Sequence, residues 1–149
     1  MQAVKRLAGF TLMEVIVAMA VIAILAAIAI PNYTAYIQRG YRSEAKSMLL
    51  AAAQWQQRFR TETNQYSVGL PADLTVVPAT GNARYNIVSA VAGVGVPAGG
   101  FLLTAVPAGA QAGDECGTFR LDSLGARTLN IGGTIYNGGT QEANRCWGR

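Results

Sequence analysis

The feature that most limits what this chain can become lies near its N-terminus. Residues 9–31 read GFTLMEVIVAMAVIAILAAIAIP, and no residue from Val15 to Gln38 carries a charge. Phe10 to Ile30 spans 21 residues, about 31 Å as a helix, which matches the hydrocarbon core of a bilayer. Glu14 sits near the start of this run. A carboxylate within a membrane helix costs on the order of 3 kcal/mol at the centre and less near the end. A plain anchor tolerates Glu14 at that position but gains nothing from it.

The remainder of the 149 residues reads as one soluble-type domain. About half the chain is hydrophobic and 13% is charged, too apolar for a disordered protein. The net charge is +4, two units of which come from Lys5 and Arg6. From Arg39 onward ten basic residues face seven acidic ones, a mild excess that by itself says little about nucleic acid. There is no histidine, so Ser–His–Asp and Cys–His catalysis lack their base. With only Cys116 and Cys146 as thiols, no zinc site is expected either. If the chain is exported, the two cysteines are most simply one disulfide.

Three readings compete for residues 1–31. A secretory signal peptide would use Lys5 and Arg6 as its basic region and the small residues Ala26, Ala27 and Ala29 as its cut. Its apolar run, Val15 to Ile30, is long for that purpose. A transmembrane anchor fits by length, with Lys5 and Arg6 on the cytoplasmic side. The third reading uses every part of the motif. A basic leader ends at Gly9; Phe10, Thr11-Leu12 and Glu14 follow; the run closes with Ala29-Ile30-Pro31 and Tyr33.

That pattern closely resembles the N-terminal segment of type IV pilins and pseudopilins. The resemblance implies a leader, residues 1–9, which a prepilin peptidase cuts between Gly9 and Phe10 before the Phe10 amine is methylated. Residues 10–31 would be the transmembrane and filament-core helix. The precursor would sit once across the inner membrane, surrounded by lipid, with its C-terminal domain in the periplasm. Inner-membrane assembly machinery would then pass it into an extracellular filament. In such filaments Glu14 is expected to meet the cut terminus of a neighbouring subunit. An α-amino group is cationic at neutral pH, and two opposite charges removed from water must pair. Many members carry a glycine midway along the run; here it reads Val21-Ile22-Ala23-Ile24, which leaves Pro31 as the helix-breaking residue.

Residues 32–149 form the expected globular part. Ile37, Tyr41, Ala45, Met48, Ala52, Trp55 and Phe59 recur at helical spacing, which predicts an amphipathic helix over residues 32–64 that packs this stripe on a sheet. Residues 65–84, rich in Gly, Pro and Asn, read as a loop. Four strands are expected within residues 85–131: Tyr85 to Val91, Phe101 to Val106, Thr118 to Asp122 and, after a tight turn, Arg127 to Ile131. The piece from Gly132 onward shows no periodicity. The resemblance implies that Cys116 and Cys146 bound a C-terminal disulfide region, as in short pilins that include minor and DNA-uptake pilins. Asp114 and Glu115 read as a solvated loop, too few for a calcium site.

The expected fold class is therefore α+β: a long N-terminal helix packed on a four-stranded antiparallel sheet. The expected function is that of a structural subunit, major or minor, of a type IV pilus serving adhesion, twitching motility or DNA uptake. No enzyme activity, cofactor or metal is expected, and the partners are other pilin subunits, the peptidase and the assembly machinery. One alternative is a DNA-binding minor pilin, a receptor in natural transformation. Arg84, Arg120, Arg127 and Arg145 would then contact phosphates if they gathered on one face. From Asp114 to the end, however, four acids balance four bases. A second alternative is a type II secretion pseudopilin.

Overall fold

The computed structural model describes residues 9–148 and divides the chain into two compact units at Ile37/Gln38. Lys5, Arg6 and Arg149 lie outside the described residues. One helix, α1, is assigned over Leu12–Thr63. Its start is set by Thr11, whose hydroxyl accepts the Glu14 backbone N–H at 3.3 Å. Thr11 and Glu14 thus stand at the cap and third positions of a Thr-x-x-Glu helix start. Phe10 precedes the cap instead of belonging to the helix. The helix assignment continues through Pro31, the expected breaker. A proline deletes one donor, and here that loss does not end the helix assignment.

In the N-terminal unit the apolar side chains face outward all round. Ile16, Met19, Ile22, Ile24 and Ile28 are all more than half exposed. An 18-residue window there has a mean hydropathy of 2.8 and none of it is buried.

In the second unit, α1 turns Ala45, Leu49, Ala52 and Gln56 fully inward. This corrects the expected stripe. Tyr41 and Met48 pack at its margin, whereas Trp55 and Phe59 are half-buried and stack on each other with centroids 5.1 Å apart. The polar Gln56 occupies the inner position because its amide is fully used. It donates to the Ser67 carbonyl at 2.6 Å and the Ser89 hydroxyl at 2.8 Å, and accepts from the Ser67 N–H at 2.9 Å. A buried amide satisfied on both sides carries no desolvation penalty that would expel it.

The sheet has six strands, not the expected four: β1 (Val76–Val77), β2 (Tyr85–Ala90), β3 (Leu102–Pro107), β4 (Thr118–Asp122), β5 (Arg127–Ile131) and β6 (Thr134–Tyr136). All neighbours are antiparallel and follow chain order. The two extra strands have two and three residues, too short to show alternation. The second nonetheless had a turn signal. Gly132 and Gly133 take φ of 59° and 90°, the two left-handed positions of a tight hairpin, with Ile131 paired to Thr134. One register row, Ile87–Ala105–Phe119–Leu129, runs across the core side of β2 to β5.

A second helix, α2 (Gln141–Trp147), forms in the segment without periodicity. Thr140 caps it by accepting the Ala143 N–H at 3.2 Å, and Gly148 closes it with φ of 69°. It buries Ala143, Cys146 and Trp147, with the Trp147 ring edge-on to Phe119 at 5.3 Å.

Candidate functional site

Two regions hold Gly9, Phe10, Glu14 and the two cysteines singled out in the sequence. The first is the start of α1. Gly9 and Phe10 are exposed and outside regular structure, and Phe10 is 83% exposed. Glu14 is exposed in the first turn, directly below an apolar surface that has no cover among the described residues. Negative charge in the first helical turn is favoured by the helix dipole, which offsets part of its cost there.

The second region is built around Asp114 and the disulfide. Cys116 and Cys146 are joined, with Cα atoms 5.7 Å apart, and both are buried. Asp114, read as solvated, is a correction: its carboxylate is fully buried. Arg42 grips it from α1, with Nε 2.9 Å from Oδ2 and Nη2 2.9 Å from Oδ1. The Tyr85 hydroxyl donates to Oδ2 at 2.6 Å, the Gln111 amide also donates to Oδ2, and the Cys116 N–H donates to Oδ1 at 2.8 Å. Burial alone would raise the Asp114 pKa, but these donors outweigh it and hold it below the usual carboxylate range. Burial, helped by the hydrogen bond to Asp114, pushes the Tyr85 phenol up so that it stays a donor.

Four residues further along α1, Lys46 donates to the Cys146 and Trp147 carbonyls at 3.2 and 3.0 Å, capping the end of α2. Burial and the neighbouring charges of Arg42 and Arg127 lower its pKa. The helix is thus tied to both ends of the disulfide-bounded segment. Neither Arg42 nor Lys46 stands out in the sequence; the signal available was only their one-turn spacing and the acids beside Cys116. Among the described residues no group of three or more His, Cys, Asp or Glu side chains is placed to hold a metal.

The four candidate arginines do not share a face. Arg84 lies over the Tyr41 ring at 5.3 Å. Arg127 lies over Trp147 at 5.6 Å, on the core side of β5 with Leu129. Arg145 is on α2, 3.8 Å from Glu115. Arg120 projects from the other side of the sheet, between its strand partners Thr104 and Thr128.

Residues 31–120 match the model of the family described as "Type IV minor pilin ComP, DNA uptake sequence receptor", which is more than half of the chain. The chain belongs to this family of type IV pilins. Residues 5–30 of the pilin match the prokaryotic N-terminal methylation motif. The pilin is 42% identical over 85 residues to the type IV major pilin protein PilA of Myxococcus xanthus, covering 57% of this chain and 38% of that one. It is 35% identical over 86 residues to PilA4, the type IV wide pilus major component of Thermus thermophilus, covering 56% of this chain and 66% of that one. The pilin therefore spans less than two thirds of the length of each of these relatives. A solved type IV pilin from Shewanella oneidensis aligns over 60% of the pilin and 89% of its own chain, at 27% identity and a TM-score of 0.44. The family match includes Arg42, Tyr85, Asp114 and Cys116 but stops at Arg120.

Proposed function

We propose that this pilin is a filament subunit of a type IV pilus. It enters the inner membrane as a precursor with its globular part in the periplasm, is cut between Gly9 and Phe10 by a prepilin peptidase, and is methylated on the Phe10 amine. It then packs its apolar helix against those of other subunits. The observation that carries this reading is a helix segment of bilayer length, uncharged from Val15 to Gln38 and exposed on all sides, with a carboxylate in its first turn. Lipid can cover such a surface, and so can other copies of the same helix. The carboxylate favours the second, because a plain anchor gains nothing from it, whereas a neighbour's amine pairs with it away from water. Glu14 so paired sets the axial register between subunits, since a misplaced helix leaves both charges unmatched.

The test is Glu14→Ala in cells. The cut, methylated chain accumulates in the membrane while surface filaments fall to a small fraction of normal. Mass spectrometry of purified filaments reads the Phe10 terminus and its methyl group. Normal filament yield from Glu14→Ala, or a mature chain beginning elsewhere than Phe10, overturns the proposal.

A second reading is favoured by the family description: this pilin takes up DNA as a receptor. The dispersal of Arg84, Arg120, Arg127 and Arg145 means that a duplex would be held by separate contacts and not by one basic track. Phosphate contacts make binding fall steeply with salt. Binding that is steep in salt and weakened by Arg127→Gln and Arg145→Gln supports the receptor; no binding at low salt retires it.

A further inference from the structure

Arg120 stands apart from every other arginine of the sheet region. Among the described residues no hydrogen bond, ion pair or aromatic ring holds its guanidinium, whereas Arg42, Arg60, Arg84, Arg127 and Arg145 each have a partner. It lies in a cleft of about 230 Å³ on the sheet face away from α1, lined by Gly95, Asp122, Thr128, Ile135 and Asn137 among others. The glycine-rich segment between β2 and β3 closes one side. A Cβ at Gly95 would sit 2.5 Å from Arg120 Nη2, and the residue has φ of 81°, so backbone alone can approach there. Asp122, two residues along β4 on the same face, is fixed by its Oδ1, which accepts the Leu124 and Ala126 N–H groups, both at 2.9 Å.

We infer that this cleft is a binding site for a small hydroxylated carboxylate of the hexuronate kind, its carboxylate on Arg120 and a hydroxyl on Asp122. The volume is below the roughly 300–1,000 Å³ of sites that take drug-sized ligands, so it suits one sugar ring. A guanidinium offers two parallel donors that match a carboxylate. Asp122 projects about 7 Å along the strand from Arg120, within the span of a single ring. Its charge disfavours a polyanion and favours a ligand with a donor at that end. Ile135, 42% exposed, gives an apolar wall for the ring's C–H face. The second cleft, about 360 Å³ and lined by Arg60, Asn64 and Tyr66, lacks this character, because Arg60 already donates to the Tyr66 hydroxyl at 2.8 Å and covers its ring.

The test titrates the full chain in detergent micelles with glucuronate, glucose, inorganic phosphate and a DNA duplex, read by calorimetry and NMR. Glucuronate should bind saturably at millimolar concentration, glucose and phosphate about tenfold or more weakly, and Arg120→Gln should lose about tenfold in glucuronate affinity, as expected for a charge-assisted pair. Unsaturable glucuronate binding, equal affinity in Arg120→Gln, phosphate binding as well as glucuronate, or duplex binding through Arg120 without glucuronate each overturns the site. Should Arg120→Gln not fold, the wild-type chain decides. Glucuronate shifts at Gly95, Ile135 and Asn137 uphold the cleft, and shifts confined to other residues reject it.

Discussion

Asp114→Asn is the sharpest probe of how the globular unit is held together. The native carboxylate is fully buried and accepts from four partners: both edges of Arg42, Tyr85, Gln111 and the Cys116 N–H. The asparagine keeps the shape but removes the charge, and turns an N–H₂ toward donors. Arg42, only 13% exposed, is left without its principal counter-ion. Breaking one side of a buried pair costs about 3–5 kcal/mol. Arg42 keeps a second contact, Nη1 to Glu115 at 3.3 Å, on a carboxylate that is more than half exposed. That places the loss at the lower end, about 3 kcal/mol. For a cooperative unit of this size the midpoint falls by about 12 °C, at roughly 4 °C per kcal/mol. Near-UV circular dichroism of the detergent-solubilised chain, which reports Trp147 against Phe119, gives the transition. The double variant Arg42→Met with Asp114→Leu should cost less than Asp114→Asn alone, because no buried charge is stranded. The pH profile supplies an independent reading. A carboxylate whose folded pKa is depressed adds stability that is present above the unfolded value, about 3.9, and is lost as pH falls through the folded value. Wild type should therefore lose more stability below about pH 4 than Asp114→Asn does. A loss under 1 kcal/mol, or parallel acid limbs in the two proteins, would falsify the view that Asp114 is the hub.

Removing the disulfide with Cys116→Ser and Cys146→Ser together should destabilise the unit by about 3–4 kcal/mol, from the 30-residue separation of the pair; a denaturant titration that moves by less than 1 kcal/mol counts against a role in the folded state. Gln56→Leu should cost about 1–3 kcal/mol, since the Ser67 N–H loses its acceptor, while the Ser67 carbonyl and the Ser89 hydroxyl lose a donor and keep each other at 3.1 Å; equal or higher stability would mean that water enters to replace the amide. Lys46→Met should cost about 1 kcal/mol and raise hydrogen exchange at Gly148, whose N–H closes the last turn of α2 on the Asn144 carbonyl, ahead of the sheet; unchanged protection there sinks the capping role.

The chain's own order of residues determined its first helix, the sites of four of its strands and the family to which it belongs. These depend on local pattern: an apolar run of bilayer length, alternation in Tyr85–Ala90 and Thr118–Asp122, and a leader motif read residue by residue. Strands of two or three residues carry too few positions to alternate, so β1 and β6 emerged only when a neighbour's edge was present to pair with. The short α2 had its Thr140 cap and Gly148 stop in plain sight, yet seven residues are too few for a helical period to stand out. Tertiary structure alone decided which polar residues go inside. Gln56 takes a core position that an apolar residue would ordinarily hold, and Asp114 is buried, because each meets partners tens of residues away in the chain. A hydrogen-bonding group's tolerance of burial depends on what faces it, and no local pattern records that. The same holds for the candidate arginines: equal in the sequence, they differ in the fold by what each is given to touch, and of Arg84, Arg120, Arg127 and Arg145 it is Arg120 that, among the described residues, is given nothing.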